Sequence, residues 1–190
     1  MHLSEQDLAA TVQAVLAGEQ AAFEKLYSET VSGVYRTLYF LCQSESDVED
    51  IAQTVYLELY RNLDKYDLSK SLHSWLYGIT IRQIQGHKRK QWREQRKLQK
   101  EQQMHLSTAS SVEDTVIVQL SMEQDDEAVF QKMNGLPDKL KQVLVLRYIN
   151  ELSQQEVAEV LNIPVGTVKS RLNQALLRMR KSIRREYDAQ

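Results

Sequence analysis

Residues 152–176 read LSQQEVAEVLNIPVGTVKSRLNQAL, and this stretch predicts a short helix, a tight turn and a second helix. Ser153 and Glu156 have the spacing of a capping box, which places the start of the first helix beside them. In the turn, Pro164 interrupts the first helix, and Gly166 is expected to permit unusual backbone angles. The pattern is typical of a helix-turn-helix unit.

The second of these helices is predicted to be amphipathic and to present a polar outer face. Its apolar stripe consists of Val168, Leu172, Ala175, Leu176, Met179 and Ile183. The polar positions nearest its start are Thr167, Lys169, Ser170, Arg171, Asn173 and Gln174. Amide side chains pair with adenine and cationic ones with guanine, so this mixture suits a DNA major groove. The alternative is a basic amphipathic helix whose outer face is merely solvated.

The rest of the chain predicts an all-α fold, because its 190 residues include only two prolines and six glycines, and 42% are hydrophobic. Two small helical domains are expected: an N-terminal helical bundle over 1–100 and a C-terminal helix-turn-helix domain over 129–190. A polar, acidic segment at 101–128 is predicted to be a flexible linker. Helices are predicted near 4–17, 20–42, 47–63, 72–93, 113–133, 138–148, 154–161 and 166–186.

Charge is distributed in blocks that the net value of −2 conceals. Residues 1–67 carry 4 basic and 12 acidic side chains, whereas residues 68–103 carry 9 and 2. Residues 104–135 carry 1 and 6, and residues 163–190 carry 7 and 2. Two basic patches separated by acidic stretches suggest two contacts with a polyanion, although solvated helix faces are the alternative.

The predicted helix at 47–63 has an apolar stripe on one face, formed by Val48, Ile51, Ala52, Val55, Leu59 and Leu63. Asp50, Gln53 and Leu57 lie on the opposite face. An apolar side chain among polar neighbours is compatible with a partner-binding surface, but a single exposed leucine is also ordinary.

The C-terminal residues LPDKLKQVLVLRYINELSQQEVAEVLNIPVGTVKSRLNQALLRMRKSI, 136–183, resemble the fourth conserved region of the sigma-70 superfamily. They are most similar to its extracytoplasmic-function (ECF) branch. The resemblance implies that this region binds the −35 promoter element and touches the polymerase flap. It assigns the base and phosphate contacts to Thr167, Lys169, Ser170, Arg171, Asn173 and Gln174.

Three N-terminal segments are similar to the second conserved region of ECF factors: 22–41, DVEDIAQTVYLELYRNLDKYD at 47–67, and LHSWLYGITIRQ at 72–83 with the basic run after it. This resemblance implies that Asp47, Asp50, Gln53 and Leu57 bind the clamp helices of the polymerase. It also implies a −10 surface formed by His73, Trp75, Arg82, Lys88, Arg89, Lys90 and Trp92.

The residue types suit the −10 assignment, because aromatic faces stack on unpaired bases and cations neutralise phosphates. Trp75, however, shares a face with apolar neighbours, which favours core packing for it. The sequence departs from the family pattern at Arg82 and Gly86, which stand where an Asn and an Asp are usual. Gly86 is expected to loosen the helix before the basic run.

The expected function is therefore that of an ECF-type sigma factor, which binds core RNA polymerase and directs it to promoter DNA. The resemblance also implies an anti-sigma protein as a partner. Cofactors, bound metal and catalysis are not expected, since no nucleotide-loop or metal-ligand motif is present and Cys42 has no evident base. Without a signal peptide or a long apolar stretch, a cytoplasmic protein without membrane insertion is expected. The alternative is a conventional helix-turn-helix transcriptional regulator, which would dimerise on a palindrome.

Overall fold

The computed structural model describes residues 4–42, 44–102, 131, 133 and 135–187. The N-terminal helices are α1 (Glu5–Leu16), α2 (Gln20–Leu41), α3 (Glu45–Arg61) and α4 (Leu72–Gln102), with a 3₁₀ turn at Leu63–Lys65. The C-terminal helices are α5 (Asp138–Leu144), which continues as a π-helical turn over Val145–Ile149, then α6 (Gln154–Leu161) and α7 (Val165–Tyr187). The described part of the chain contains no strand, and the predicted all-α fold is confirmed.

Predicted and observed helices differ most at α4, which continues to Gln102 instead of ending near residue 93. The added residues are mainly Arg, Lys, Gln, Glu and Leu, all good helix formers. The helix also passes through Gly86 without a break, so the expectation that this glycine loosens it was wrong. The linker predicted at 101–128 and the helix predicted at 113–133 lie almost entirely outside the described residues.

The N-terminal bundle packs α1 against α2 and α3 against α4. Side chains cap the starts of two of its helices: Ser4 and Asp7 form a capping box on α1, and the Ser44 hydroxyl accepts from the Asp47 backbone amide on α3. Its core is formed by Leu8, Val12, Leu26, Val34, Leu38, Val48, Ile51, Val55, Leu59, Leu72, Leu76, Ile79 and Ile84, all buried. This burial is the main source of the bundle's stability.

Gly33 sets how closely α2 approaches α4. A Cβ added at this position would overlap the hydroxyl of Tyr77, so only glycine leaves room for the buried tyrosine. The Thr37 hydroxyl, one turn further along α2, donates to the Gly33 carbonyl at 2.7 Å. The close approach of α2 to α4 therefore lies beside the hydrogen-bonded side chain of Thr37, which is itself buried.

The C-terminal unit is built from α5 with its π-helical turn, α6 and the longer α7. Its core is formed by Val143, Leu146, Val157, Val168, Leu172 and Ala175, all buried. Ser153 and Glu156 form the predicted capping box on α6. Among the described residues, two other than glycine have positive φ: Glu151 at 58°, before α6, and Asn162 at 50°, where α6 ends. The left-handed conformation costs less free energy at Asn162 than at Glu151, because the short polar side chain of asparagine can hydrogen-bond to the nearby backbone.

The two units pack against each other in the described chain, since buried side chains of both belong to one continuous apolar cluster. The main contact joins α4 to α6, and smaller contacts join α2 to α5 and to the π-helical turn. The C-terminal unit therefore covers one face of α4.

We predict that Glu151→Gly stabilises the protein by about 0.5–1 kcal/mol. Glycine adopts a φ of 58° without the Cβ clash that costs about 1–2 kcal/mol for other residues, and its greater freedom in the unfolded chain offsets part of this gain. Urea unfolding of both proteins measures the difference. The matched control is Glu159→Gly in α6, which should lower the unfolding free energy by about 0.5–1 kcal/mol because its backbone is helical. Equal losses from both changes would contradict the prediction.

Candidate promoter DNA and polymerase interfaces

The turn between α6 and α7 is shaped by Asn162, whose left-handed backbone ends α6. The Ile163 amide donates to the Ala158 carbonyl at 3.0 Å, and the Thr167 amide donates to the Pro164 carbonyl at 2.8 Å. Gly166 lies inside the first turn of α7 and does not have a positive φ. The expectation that Gly166 supplies unusual angles was therefore wrong, because Asn162 fills that role.

The first turns of α7 present a polar face over a buried apolar stripe. Val168, Leu172 and Ala175 are buried against α5 and α6. Of the six predicted −35 residues, Lys169, Ser170, Asn173 and Gln174 are exposed, and Thr167 and Arg171 are partly exposed. They share one outward face, so the structure brings all six together.

The first turn of α4 is held by a carboxylate from α1. Glu5 accepts from the Ser71 hydroxyl at 2.8 Å and from the Leu72 amide at 3.2 Å. It also lies 3.1 Å from Nδ1 of His73. A negative charge is favourable at a helix start, where backbone amides lack partners. This contact fixes both the start of α4 and the position of the His73 ring.

Trp75 and Arg82, two further predicted −10 residues, both contact the bundle. Trp75 is partly buried, and its ring lies 5.1 Å from that of Tyr66 between centroids. Arg82 is mostly exposed and lies 3.7 Å from Glu58 of α3. Trp75 therefore packs partly against the core, as its apolar neighbours in the sequence indicate.

The later half of α4 carries the remaining four −10 residues. Arg89 and Lys90 are exposed, and Lys88 donates to Asp138 of α5 at 2.7 Å. Trp92 is 55% exposed, and the Arg96 guanidinium lies 4.2 Å from its ring centre. At 1.5 Å per residue, His73 and Trp92 are about 28 Å apart along the axis. The structure thus spreads the predicted −10 residues along α4, from its first turn to just past its midpoint.

A groove of about 690 Å³ runs between α2 and α3. Its lining includes the predicted polymerase contacts Asp50, Gln53 and Leu57 together with the aromatic side chains of Phe23, Tyr27, Tyr35, Tyr56 and Tyr60. Leu57 is 49% exposed and Tyr60 61%. The groove is therefore an apolar, largely aromatic surface with carboxylates at its edge.

Asp47, the fourth predicted polymerase contact, does not line this groove. Its carboxylate accepts a hydrogen bond from the side-chain amide of Gln91 at 3.1 Å and lies 3.6 Å from Nε2 of His87. Gln91 and His87 are both on α4. Its side chain is only 17% exposed. The structure therefore separates Asp47 from the other three residues and places it between α3 and α4.

No group of side chains suited to a metal ion occurs among the described residues. Burial raises the pKa of the Cys42 thiol to about 12, which disfavours the thiolate that a nucleophile requires. No helix in the described ranges is both long enough and apolar enough to span a membrane.

Comparison with protein families matches two regions of this chain. Residues 26–94 match sigma-70 region 2, and residues 133–181 match sigma-70 region 4. The ECF RNA polymerase sigma factor SigW of Bacillus subtilis is 34% identical over 180 residues, covering 91% of this chain and 95% of SigW. The chain belongs to the ECF branch of the sigma-70 family.

Other relatives agree with this assignment. The ECF RNA polymerase sigma-E factor of Haemophilus influenzae is 28% identical over 173 residues, covering 87% of this chain and 89% of that factor. In fold, the sigma factor is similar to CnrH in complex with the cytosolic domain of CnrY, with a TM-score of 0.67, 20% identity and coverage of 94% and 96%. RpoE of Bartonella quintana, solved with the anti-sigma factor NepR, gives a TM-score of 0.68, 17% identity and coverage of 85% and 96%.

As a member of this family, the sigma factor binds core RNA polymerase and directs transcription initiation at promoters. The alternative, a conventional helix-turn-helix regulator, is not favoured. The N-terminal half matches sigma-70 region 2, and a conventional helix-turn-helix regulator would not account for that match.

Sequence reasoning missed the aromatic half of the groove between α2 and α3. Phe23 and Tyr27 come from α2, and Tyr60 comes from the end of α3, so only the packing of two helices brings them together. The available signal was the four-residue spacing of Phe23 and Tyr27, which places both on one helix face. Sequence reasoning also missed the contact of Glu5 with the Leu72 amide of α4, which joins residues more than sixty positions apart.

We predict that the two tryptophans differ in their contribution to folding. Trp75→Ala should lower the unfolding free energy by about 2 kcal/mol, because its ring packs on Tyr66. Trp92→Ala should change it by at most about 0.5 kcal/mol, because its ring is largely exposed. Chemical unfolding followed by circular dichroism measures both, each variant serving as the control for the other. A large loss from Trp92→Ala would show that its ring is buried.

Proposed function

We propose that the sigma factor divides promoter recognition between two helices, with α7 at the −35 element and α4 at the −10 element. One observation carries the −35 assignment: amide and cationic side chains occupy the exposed face of the first turns of α7, above a buried stripe. A helix entering the major groove contacts base edges with these turns. Asn173 and Gln174 suit adenine, while Lys169 and Arg171 suit guanine or phosphate.

The −10 element is assigned to α4 because this helix combines exposed cations with an exposed aromatic ring. Arg89 and Lys90 neutralise phosphates, and the free face of Trp92 stacks on an unpaired base. Arg96 on the other face of the ring restricts its motion, which lowers the entropic cost of stacking. His73 and Trp75, in the first turn of α4, contact a different part of the same strand.

The groove between α2 and α3 is proposed as the docking site for the clamp helices of the polymerase. Its aromatic floor offers apolar area, and exposed aromatic side chains often dominate binding energy. Asp50 at the edge favours a partner with basic side chains beside its apolar ones. Asp47 is proposed to act indirectly, by fixing α3 against α4.

We also propose that the sigma factor works in the cytoplasm, catalyses no reaction of its own, and is held inactive by an anti-sigma protein. RpoE of Bartonella quintana was solved with such a partner. A protein that covers the groove or the exposed faces of α4 and α7 would block either polymerase or DNA.

Run-off transcription tests the proposal as a whole. Core polymerase with and without the sigma factor is supplied with a library of genomic fragments, and transcripts are sequenced. The proposal expects a shared sequence about 10 and 35 bases upstream of the start sites, seen only with the sigma factor. Core polymerase that fails to bind the protein, or binds it without gaining start-site preference, would contradict it.

We predict that Arg171→Ala lowers transcription from a promoter that depends on its −35 element by about tenfold, since a good base contact contributes about 1–3 kcal/mol. On a template with a scrambled −35 element, the variant and the parent protein should be equally weak. The matched control is Arg184→Ala, which removes the same charge about 20 Å further along α7. Equal losses from both changes on the intact promoter would indicate a nonspecific charge effect.

We predict that Leu57→Ala and Asp50→Ala each weaken binding to core polymerase by about fivefold to tenfold without changing promoter preference. The first removes apolar contact area and the second a charge at the groove edge. Titration of labelled protein with core polymerase measures the affinity. The control, Glu94→Ala, removes an exposed carboxylate from α4 outside the groove. Unchanged affinity in both groove variants would refute the docking site.

A further inference from the structure

The groove between α2 and α3 changes in character along its length. Phe23 lies 5.3 Å from Tyr60 between ring centres, and the ring of Tyr27 lies 4.6 Å from that of Tyr56. Residue numbers rise along α2 as they fall along α3, so the two helices run antiparallel here. The two ring pairs therefore occupy successive positions along the groove, and they make one end of it aromatic.

The other end of the groove is acidic. Its lining there includes Tyr35 of α2 with Glu49 and Asp50 of α3. Both carboxylates are exposed, and neither forms an ion pair with another described residue. The described lining of the groove contains no lysine or arginine. Its negative charge is therefore not compensated within the groove.

Tyrosine rings connect the two ends. Burial, and then the nearby Tyr27 and the charge of Glu49, raise the pKa of the Tyr35 hydroxyl, so these three side chains are close together. Tyr27 is 39% exposed, which leaves part of its ring open to a partner. Tyr56 is buried beneath, and its hydroxyl is already hydrogen-bonded to that of Thr30 at 3.0 Å. We call the acidic end of the groove the cage: Tyr27, Tyr35, Glu49 and Asp50.

The chemistry of the cage favours a cation, and a planar one. Aromatic faces carry negative potential and attract cations, and the two carboxylates add to that attraction. A partner that covered the cage with apolar side chains alone would remove both carboxylates from water without a compensating charge, which is unfavourable. An ammonium group is strongly hydrated and acts as a point charge. A guanidinium group is more weakly hydrated, stacks on rings and donates two parallel hydrogen bonds to a carboxylate.

We propose that the cage binds one arginine side chain of the polymerase clamp helices, with its guanidinium stacked on a tyrosine ring and paired with a carboxylate. The inference rests on the proposed docking of the clamp helices in this groove. At about 1.5 Å per residue, Leu57 lies about 10 Å from Asp50 along α3. A partner helix that contacts both ends of the groove must therefore carry its arginine about two turns from a large apolar side chain. That spacing fixes the register in which the partner docks.

The first test separates the ring of Tyr27 from its apolar area. Tyr27→Leu keeps an apolar side chain but removes the ring face, whereas Tyr27→Phe keeps the face and loses only the hydroxyl. Titration of the labelled sigma factor with core polymerase should show a loss of affinity of about fivefold for Tyr27→Leu. Tyr27→Phe should restore the affinity to within about twofold of the parent protein, because a desolvated ring still attracts the cation. Equal affinities of the two variants would overturn the cage.

The second test identifies the arginine. Each arginine of the clamp helices of core polymerase is replaced in turn by glutamine and by lysine. One of them should bind the parent sigma factor about tenfold less tightly as glutamine, and lysine should restore only part of that loss. With Glu49→Gln and Asp50→Asn combined, the same replacement should cost about twofold or less, because the pair is already broken.

The matched control for charge combines Glu24→Gln and Glu94→Gln, which remove two exposed carboxylates outside the groove. With this control protein, replacement of the arginine by glutamine should still cost the full tenfold. If no clamp arginine couples to the carboxylates of the cage while Leu57→Ala still weakens binding, the groove docks the polymerase without a cage, and the inference is overturned. If Leu57→Ala also leaves the affinity unchanged, the proposed docking site itself is refuted.

Discussion

The buried stripe of α4 is the constraint on which the other surfaces depend. Leu72, Leu76, Ile79 and Ile84 are each 1% exposed and lie against the bundle. Each such side chain contributes about 1.5–3 kcal/mol, whereas an exposed ion pair contributes about 0–1 kcal/mol. Apolar packing therefore sets the rotation of α4, and the polar contacts adjust it. That rotation decides which cations face solvent and which face α3 or α5.

Local signals in the sequence were sufficient for most of the fold. The helix at 154–161 begins and ends as predicted, because a capping box marks its start and Asn162, Ile163 and Pro164 end it. The stripes of α3 and α7 likewise predict which faces are buried. The error at Gly166 has a local cause: either a glycine or an asparagine can supply left-handed backbone, and the chain uses the asparagine.

Contacts between distant segments could not be predicted in the same way. Asp47 and Asp50 are one helical turn apart, yet one lies against α4 and the other on the groove. Their difference depends on where α4 packs, which no pattern within α3 reveals. The contact of Glu5 with the start of α4, and that of Glu156 with Ser74, also arise only when separate helices meet.

Several acidic residues of this chain have a structural role, because they contact α4. In the described part of the chain, four pairs join carboxylates of other elements to side chains of α4: Glu5 with His73, Glu58 with Arg82, Asp47 with His87, and Asp138 with Lys88. Arg89 and Lys90, which directly follow these residues on α4, are exposed. Because exposed ion pairs are weak, phosphate competes well for a paired cation once DNA is held nearby. Because phosphate binding also releases condensed counterions, the exchange is favoured at low salt. If α4 contacts the −10 element as proposed, its affinity for DNA depends on how many of these pairs persist in the form that meets the promoter.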